Sequence, residues 1–283
     1  MIPAEFLVMF FSLAAAATWG AGDFSGGFAT KRASVYVVVL VSQIVGLVCL
    51  PFLAIVFSEP LPPTDDLFWG FIAGLAASFG MLLLFHALST GHMGVAASIS
   101  AVFSVALPVV YGVCNEGLPA SHQIAGFVIA LISILLVSGT DKMGRNCMWI
   151  HGLVFPLLAG VGFGMFFISV DHFSETAVFW PLSVAKLSAV LVTLGVVLLR
   201  RSAKVPSGNV LPLIILTGVF ETTGSLFFTL ALETGRLDIA TVLSSLYPGG
   251  TVLLAWFVLK ERLSSKQWIG VVLALIAIAL ISL

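Results

Sequence analysis

Gln267-Trp-Ile-Gly-Val-Val-Leu-Ala-Leu-Ile276 has a counterpart 144 residues earlier, Gln123-Ile-Ala-Gly-Phe-Val-Ile-Ala-Leu-Ile132. Gln, Gly, Val, Ala, Leu and Ile recur there in register, and Ser138 recurs as Ser282. Further out, Leu232-Glu-Thr-Gly235 echoes Leu88-Ser-Thr-Gly91, and Lys260-Glu261-Arg262-Leu263 echoes Asn115-Glu116-Gly117-Leu118. Duplication of about half the chain is the simplest cause. It divides the sequence into residues 1–141 and 146–283.

The 283 residues are 60% hydrophobic and only 9% charged, with a mean hydropathy of +1.17. A soluble domain carries roughly a quarter charged residues, so this chain cannot make a water-facing surface. It reads as an integral membrane protein whose first partner is the lipid bilayer. A net charge of -1 argues against nucleic acid as a partner. Cys49, Cys114 and Cys147 have neither metal-ligand nor disulfide spacing, so no metal and no cofactor are expected. Met1-Ile-Pro-Ala-Glu5 lacks the basic start of a signal peptide, and the first apolar run is expected to be kept as a span.

Apolar runs long enough to cross the hydrocarbon core recur ten times. They lie near 5–28, 34–57, 67–89, 93–114, 121–140, 149–170, 177–199, 210–232, 237–259 and 265–283. Ser264-Ser-Lys-Gln267 reads as a capping box opening the tenth, and Ser121 opens the fifth similarly. The expected fold is therefore all-α, with ten transmembrane helices in two five-helix repeats. An odd number of spans per repeat inserts the second copy upside down, the inverted-repeat plan of many secondary transporters. Lys31, Arg32, Lys142, Arg145, Arg200, Arg201, Lys204, Lys260, Arg262 and Lys266 lie in the odd-numbered connections, against Arg236 alone in the even ones. By the positive-inside rule this puts the odd loops in the cytoplasm and both termini outside, in a multi-pass protein of the cell (inner or plasma) membrane.

At Ser245-Leu-Tyr-Pro248, Lys260-Glu-Arg-Leu263 and Gln267-Trp-Ile-Gly270 the sequence resembles the EamA-type branch of the drug/metabolite transporter superfamily. Trp19-Gly20, Ala87-Leu88 and Ala231-Leu232 fit the same family. The resemblance covers essentially the whole chain. It implies a ten-helix carrier of two inverted repeats that moves small metabolites, commonly amino acids or related compounds and often outward. Asn115-Glu-Gly-Leu118 departs from the basic-flanked form, and Pro108 does not align with Pro248, so the two halves of the cavity are expected to differ chemically.

Ionisable groups at membrane depth cost several kcal/mol to insert and are functional candidates. Glu221, central in the eighth span, reads as a proton-coupling carboxylate or as a structural acid bonded to Thr222 or Thr223. Lys186 lies at mid-depth in the seventh, and the repeat places Gln43 at its equivalent in the second. Lys186 either binds an anionic substrate group or pairs with Glu221. Asp23 follows Trp19-Gly-Ala-Gly22 as a second proton or cation site, or reaches the interface to meet Lys31 or Arg32. His86 titrates near neutral pH but sits one turn from a helix end. Pro108 and Tyr247-Pro248-Gly249-Gly250 are expected to break helices four and nine and to form cavity wall. Trp19, Phe24, Tyr111 and Tyr247 are the candidate aromatic contacts.

No nucleophile has a base partner, and glycines 160, 162 and 164 read as close helix packing, so the chain is not expected to be an enzyme. The expectation is a secondary, proton-coupled carrier of a small-molecule substrate, exporting by alternating access. The alternatives are a channel and a non-transporting scaffold or sensor. The sequence is silent on the oligomeric state.

Overall fold

The structure, a computed structural model, describes residues 4–90, 93–137, 154–173, 177–200, 209–259 and 264–281. Gly91, Ser138, Ser282, the Lys260–Leu263 motif and the basic residues Lys142, Arg145, Arg201 and Lys204 lie outside the described residues. Within them the chain forms eleven helices and no strand. In order these are α1 (Ala4–Thr30), α2 (Val35–Val56), α3 (Thr64–Thr90), α4 (Met93–Glu116), α5 (Ser121–Val137) and α6 (Phe155–Asp171). Then follow α7 (Phe179–Arg200), α8 (Leu211–Leu232), α9 (Leu237–Ser244), α10 (Tyr247–Leu259) and α11 (Ser265–Ile281).

Helix is the form that lets an apolar segment satisfy its own backbone away from water. By length and composition six segments can cross a membrane: Ala4–Thr30, Val35–Val56, Thr64–Ala87, Phe179–Arg200, Leu211–Leu232 and Leu237–Val258. Four shorter apolar helices accompany them. The chain is a multi-pass membrane protein.

Two proline expectations come out differently from the sequence reading. α4 runs through Pro108 without a break, as α2 does through Pro51. One missing N–H forfeits one bond in a long, otherwise intact ladder. The ninth span does break, but at Ser245-Leu246, two residues before Pro248, which then sits in the first turn of α10. A proline there loses no helical bond and presets the backbone angle. The expected capping box at α11 is present: Ser264 N donates to Gln267 Oε1 at 2.8 Å, and Gln267 N donates to Ser264 Oγ at 3.3 Å. At α5 the capping position is Ala120 rather than Ser121, and Gln123 Oε1 accepts from the Ala120 N–H at 3.1 Å.

The repeated stretch packs against its own copy. α5 and α11 run antiparallel, with Ser133 Oγ donating to the Gly270 carbonyl at 2.8 Å and Gly126 facing Ala277 and Ile281. α2 crosses α7 the same way, from Phe57 on Phe179 to Arg200 over Tyr36. α1 is antiparallel to α8, from Phe11 on Phe227 to Ser25 on Thr217. Its mate in the exchange is α6 antiparallel to α3, from Phe155 on His86 to His172 on Trp69.

The exchange holds at single contacts. Gly224 faces the Trp19 indole and Gly80 faces the Phe163 ring, each glycine and each aromatic being 144 residues from its mate. Gly218 of α8 packs on Ser42 and Val45, while Gly74 of α3 packs on Ala185 and Ser188. Between α2 and α7 the spacing is 143, which makes Gln43 the mate of Lys186. With Gly46 facing Thr222 and Gly70 facing Pro181, these contacts also run α2 parallel to α8 and α3 parallel to α7. Following the chain of pairs α1, α8, α2, α7, α3 and α6, the sixth helix runs opposite to the first.

Candidate substrate site

A cavity opens where α1, α2, α3, α6, α7, α8 and α10 converge between the two halves. It offers about 70 Å³ to the centres of water-sized molecules. At roughly 10–15 Å³ for each water, that is the room taken by a compact solute of a few heavy atoms.

Asp23, Lys186, Glu221, Gln43, Trp19 and Tyr247 all line this cavity. The sequence marked each of them separately, and the fold brings them together from five helices. Asp23 is 6% exposed and Lys186 is 8% exposed, while Glu221 is half-buried. None of these three side chains has a hydrogen-bond or ion-pair partner among the described residues. Lys186 and Glu221 therefore share the cavity without closing into an ion pair, and Asp23 points into it rather than reaching Lys31 or Arg32. Gln43 donates its amide N–H to Met81 Sδ at 3.0 Å and leaves Oε1 unpartnered, as Thr222 leaves its Oγ1. Buried charges and lone pairs without partners are costly unless a ligand, water or proton completes them.

The backbone is shaped to hold these groups. Gly46 of α2 lets the Lys186 stem cross it: a methyl group there would come within 2.9 Å of Lys186 Cε. Trp19 Nε1 donates to the Glu221 carbonyl at 3.3 Å, so the indole bridges α1 and α8. Its ring lies 5.6 Å from both Phe167 and Phe228. A rigid aromatic cluster thus supports the charged end of the site.

Other candidates lie elsewhere. His86 packs edge-to-face on Phe155 at 5.3 Å, outside the cavity lining. Tyr111 shares a hydrogen bond with His172 Nε2 at 3.1 Å, and His172 stacks on Trp69 at 3.9 Å, in a cluster at another point of the α3–α4–α6 seam. Phe24 is half-buried, and Pro108 and Pro248 are buried; none of the three lines the cavity. Sequence reasoning passed over Ala77, Met81, Phe163, Phe166 and Phe167, which form much of the wall. The repeat spacing applied to Asp23, Glu221 and Trp19 lands on Phe167, Ala77 and Phe163, and would have found three of the five. Among the described residues no group of His, Cys, Asp and Glu is arranged to hold a metal ion.

A sequence profile of the EamA-like transporter family matches residues 6–139 and again 150–283. The chain belongs to the EamA-like transporter family. Both halves of this EamA protein are matched by the same profile, which bears out the resemblance at the closing motifs and the two-repeat organisation. An uncharacterized protein of Methanocaldococcus jannaschii is 31% identical over 134 residues, 47% of this chain and 95% of its own length. That relative is thus about the size of one repeat. A solved crystal structure superposes with a TM-score of 0.77 at 16% identity, over 98% of this chain and 95% of its own. At that identity the likeness is one of fold alone.

Proposed function

We propose that this chain is a secondary carrier for a small polar metabolite, with ten membrane-crossing helices in two inverted repeats, rather than an enzyme. The observation that carries the reading is the cavity between the halves, into which Asp23, Lys186 and Glu221 project without partners. A substrate site near mid-membrane, at the interface of oppositely inserted repeats, suits alternating access. The opposite run of α1 and α6 and the exchange of helix pairs support the inversion. Counting α9 and α10 as one interrupted span makes ten. Two carboxylates at that depth support proton coupling through Asp23 or Glu221. Outward transport of amino acids or related compounds is what the family resemblance implies. The Lys and Arg bias supports an orientation with the odd-numbered loops in the cytoplasm and both termini outside.

The test is counterflow in proteoliposomes with radiolabelled amino acids, polyamines, sugars and nucleosides. Saturable counterflow of one class is expected. Asp23→Asn and Glu221→Gln should each uncouple it from a pH gradient. Normal gradient-driven transport by both variants between about pH 5.5 and 8 ends the coupling assignment. Flux that neither saturates nor counterflows makes the protein a channel instead.

A further inference from the structure

The exchange that carries one half of the chain onto the other carries the acidic side of the cavity onto an apolar one, while Lys186 goes to the uncharged Gln43. Asp23 goes to Phe167, Glu221 to Ala77 and Ser225 to Met81, each 144 residues apart, and all six line the cavity. Gly22, over which the Glu221 carboxylate lies, goes to Phe166. The backbone shell is two-fold, whereas its lining has one polar pole and one greasy pole.

The polar pole carries an excess of acceptors. Two carboxylates, Asp23 and Glu221, share that side of the lining with a single cation, Lys186. The opposite pole, built from Ala77, Met81, Leu84, Phe163 and Phe166, offers a ligand nothing but apolar surface. Such a lining recognises a molecule that is itself two-ended.

We propose that the cavity binds an amphipathic amine, its ammonium head between Asp23 and Glu221 and its apolar group against the Ala77–Met81–Phe163 wall. Ala77 and Met81 then set how large that apolar group can be. This rests on the carrier reading only in taking the cavity as the substrate site. The ammonium and apolar group are common to a simple amine and to an amino acid with an apolar side chain. In the second case the extra carboxylate lies against Lys186. A small apolar pole sorts substrates by size, since each buried methylene is worth about fourfold in affinity.

The experiment is calorimetric titration of the detergent-purified full chain with ethylamine, isoamylamine, leucine and 4-methylpentanoate. Isoamylamine should bind roughly fiftyfold more tightly than ethylamine, three buried carbons apart. 4-Methylpentanoate, with the same tail and no ammonium, should not bind. Leucine separates the two sources: binding like the amine identifies an amino acid, and exclusion identifies a simple amine, with head and tail assigned alike in both. Ala77→Phe fills the greasy pole and should cut the isoamylamine-to-ethylamine affinity ratio at least tenfold. Met81→Ala enlarges it and should raise affinity for 2-phenylethylamine relative to isoamylamine. Should Ala77→Phe not fold, Met81→Ala decides. Binding of 4-methylpentanoate as tight as isoamylamine, an unchanged ratio in the variants, or no amine binding at all overturns the proposal. Amine binding with this pattern but no flux in proteoliposomes refutes the carrier and leaves the binding assignment standing.

Discussion

Glu221 lies directly over Gly22: a methyl group on that glycine would meet Glu221 Oε1 at 2.5 Å. The obstacle is the far end of a flexible side chain, so Gly22→Ala is expected to displace the carboxylate rather than the helix. Alanine also suits a helix interior better than glycine by about 1 kcal/mol, which offsets the repacking. Thermal stability should stay within a few degrees, while transport falls about tenfold or more, the effect of misplacing a reacting group by an ångström or so. Gly20→Ala is the contrast. Its methyl group would meet backbone, the Tyr247 carbonyl at 2.6 Å and Gly250 Cα at 3.0 Å. It should lower folded yield and melting temperature as well as transport.

Neutralising the cavity acids should stabilise the protein while disabling it. Neither the Asp23 nor the Glu221 side chain makes a hydrogen bond or ion pair among the described residues, although Lys186 shares the cavity with them. Groups of this kind are kept for function at the expense of stability. Asp23→Asn is expected to raise the apparent melting temperature in detergent by about 2–4 °C for each kcal/mol regained, and Glu221→Gln by less, because it also removes the nearest counter-charge of Lys186. Differential scanning fluorimetry reads this directly. A fall in both variants would mean that the carboxylates hold the bundle together.

Much of this arrangement was legible in the sequence because the duplication is legible. The 144-residue spacing, the apolar runs and the ionisable groups at membrane depth led to the helices and to Asp23, Lys186 and Glu221. The greasy pole was not, because Ala77 or Phe163 looks like any lipid-facing or packing residue until the partner halves are placed. Tyr111 and His172 were not paired for a similar reason, since the chain separates them by 61 residues across two helices. Pro108 misled because proline marks a lost hydrogen bond, not a break, and one lost bond leaves a 24-residue helix intact.

Glu59, in the α2–α3 connection, caps α7 from a distance. Its Oε1 accepts from the N–H groups of Val178 at 2.7 Å and Phe179 at 2.9 Å, and its Oε2 from Trp180 at 2.9 Å. These are donors at the start of the helix with no intrahelical acceptor. Glu59→Ala should therefore destabilise by about 1–2 kcal/mol, the usual cost of losing a helix cap. Glu59→Gln retains a carbonyl and should lose less. Both should keep the cavity and its ligand preference, which ligand titration of the folded fraction checks.

The same contact helps to place the even-numbered connections at one end of the bundle. Glu59 ties the α2–α3 link to the α6–α7 link, and Arg236 Nη2, paired with Asp238 at 2.9 Å, donates to the Gly117 carbonyl at 3.0 Å. That second tie joins the α8–α9 link to the α4–α5 link. With the basic residues concentrated in the odd-numbered connections, the tied end should face outward. In a background with Cys49, Cys114 and Cys147 replaced by serine, Leu61→Cys and Leu118→Cys test this; both positions are about four-fifths exposed, at 79% and 80%. A membrane-impermeant maleimide should label both in intact cells and should label Lys31→Cys only after permeabilisation. The reverse pattern would turn the protein over in the membrane. Labelling of Leu61→Cys and Leu118→Cys from opposite sides would break the inverted-repeat topology itself.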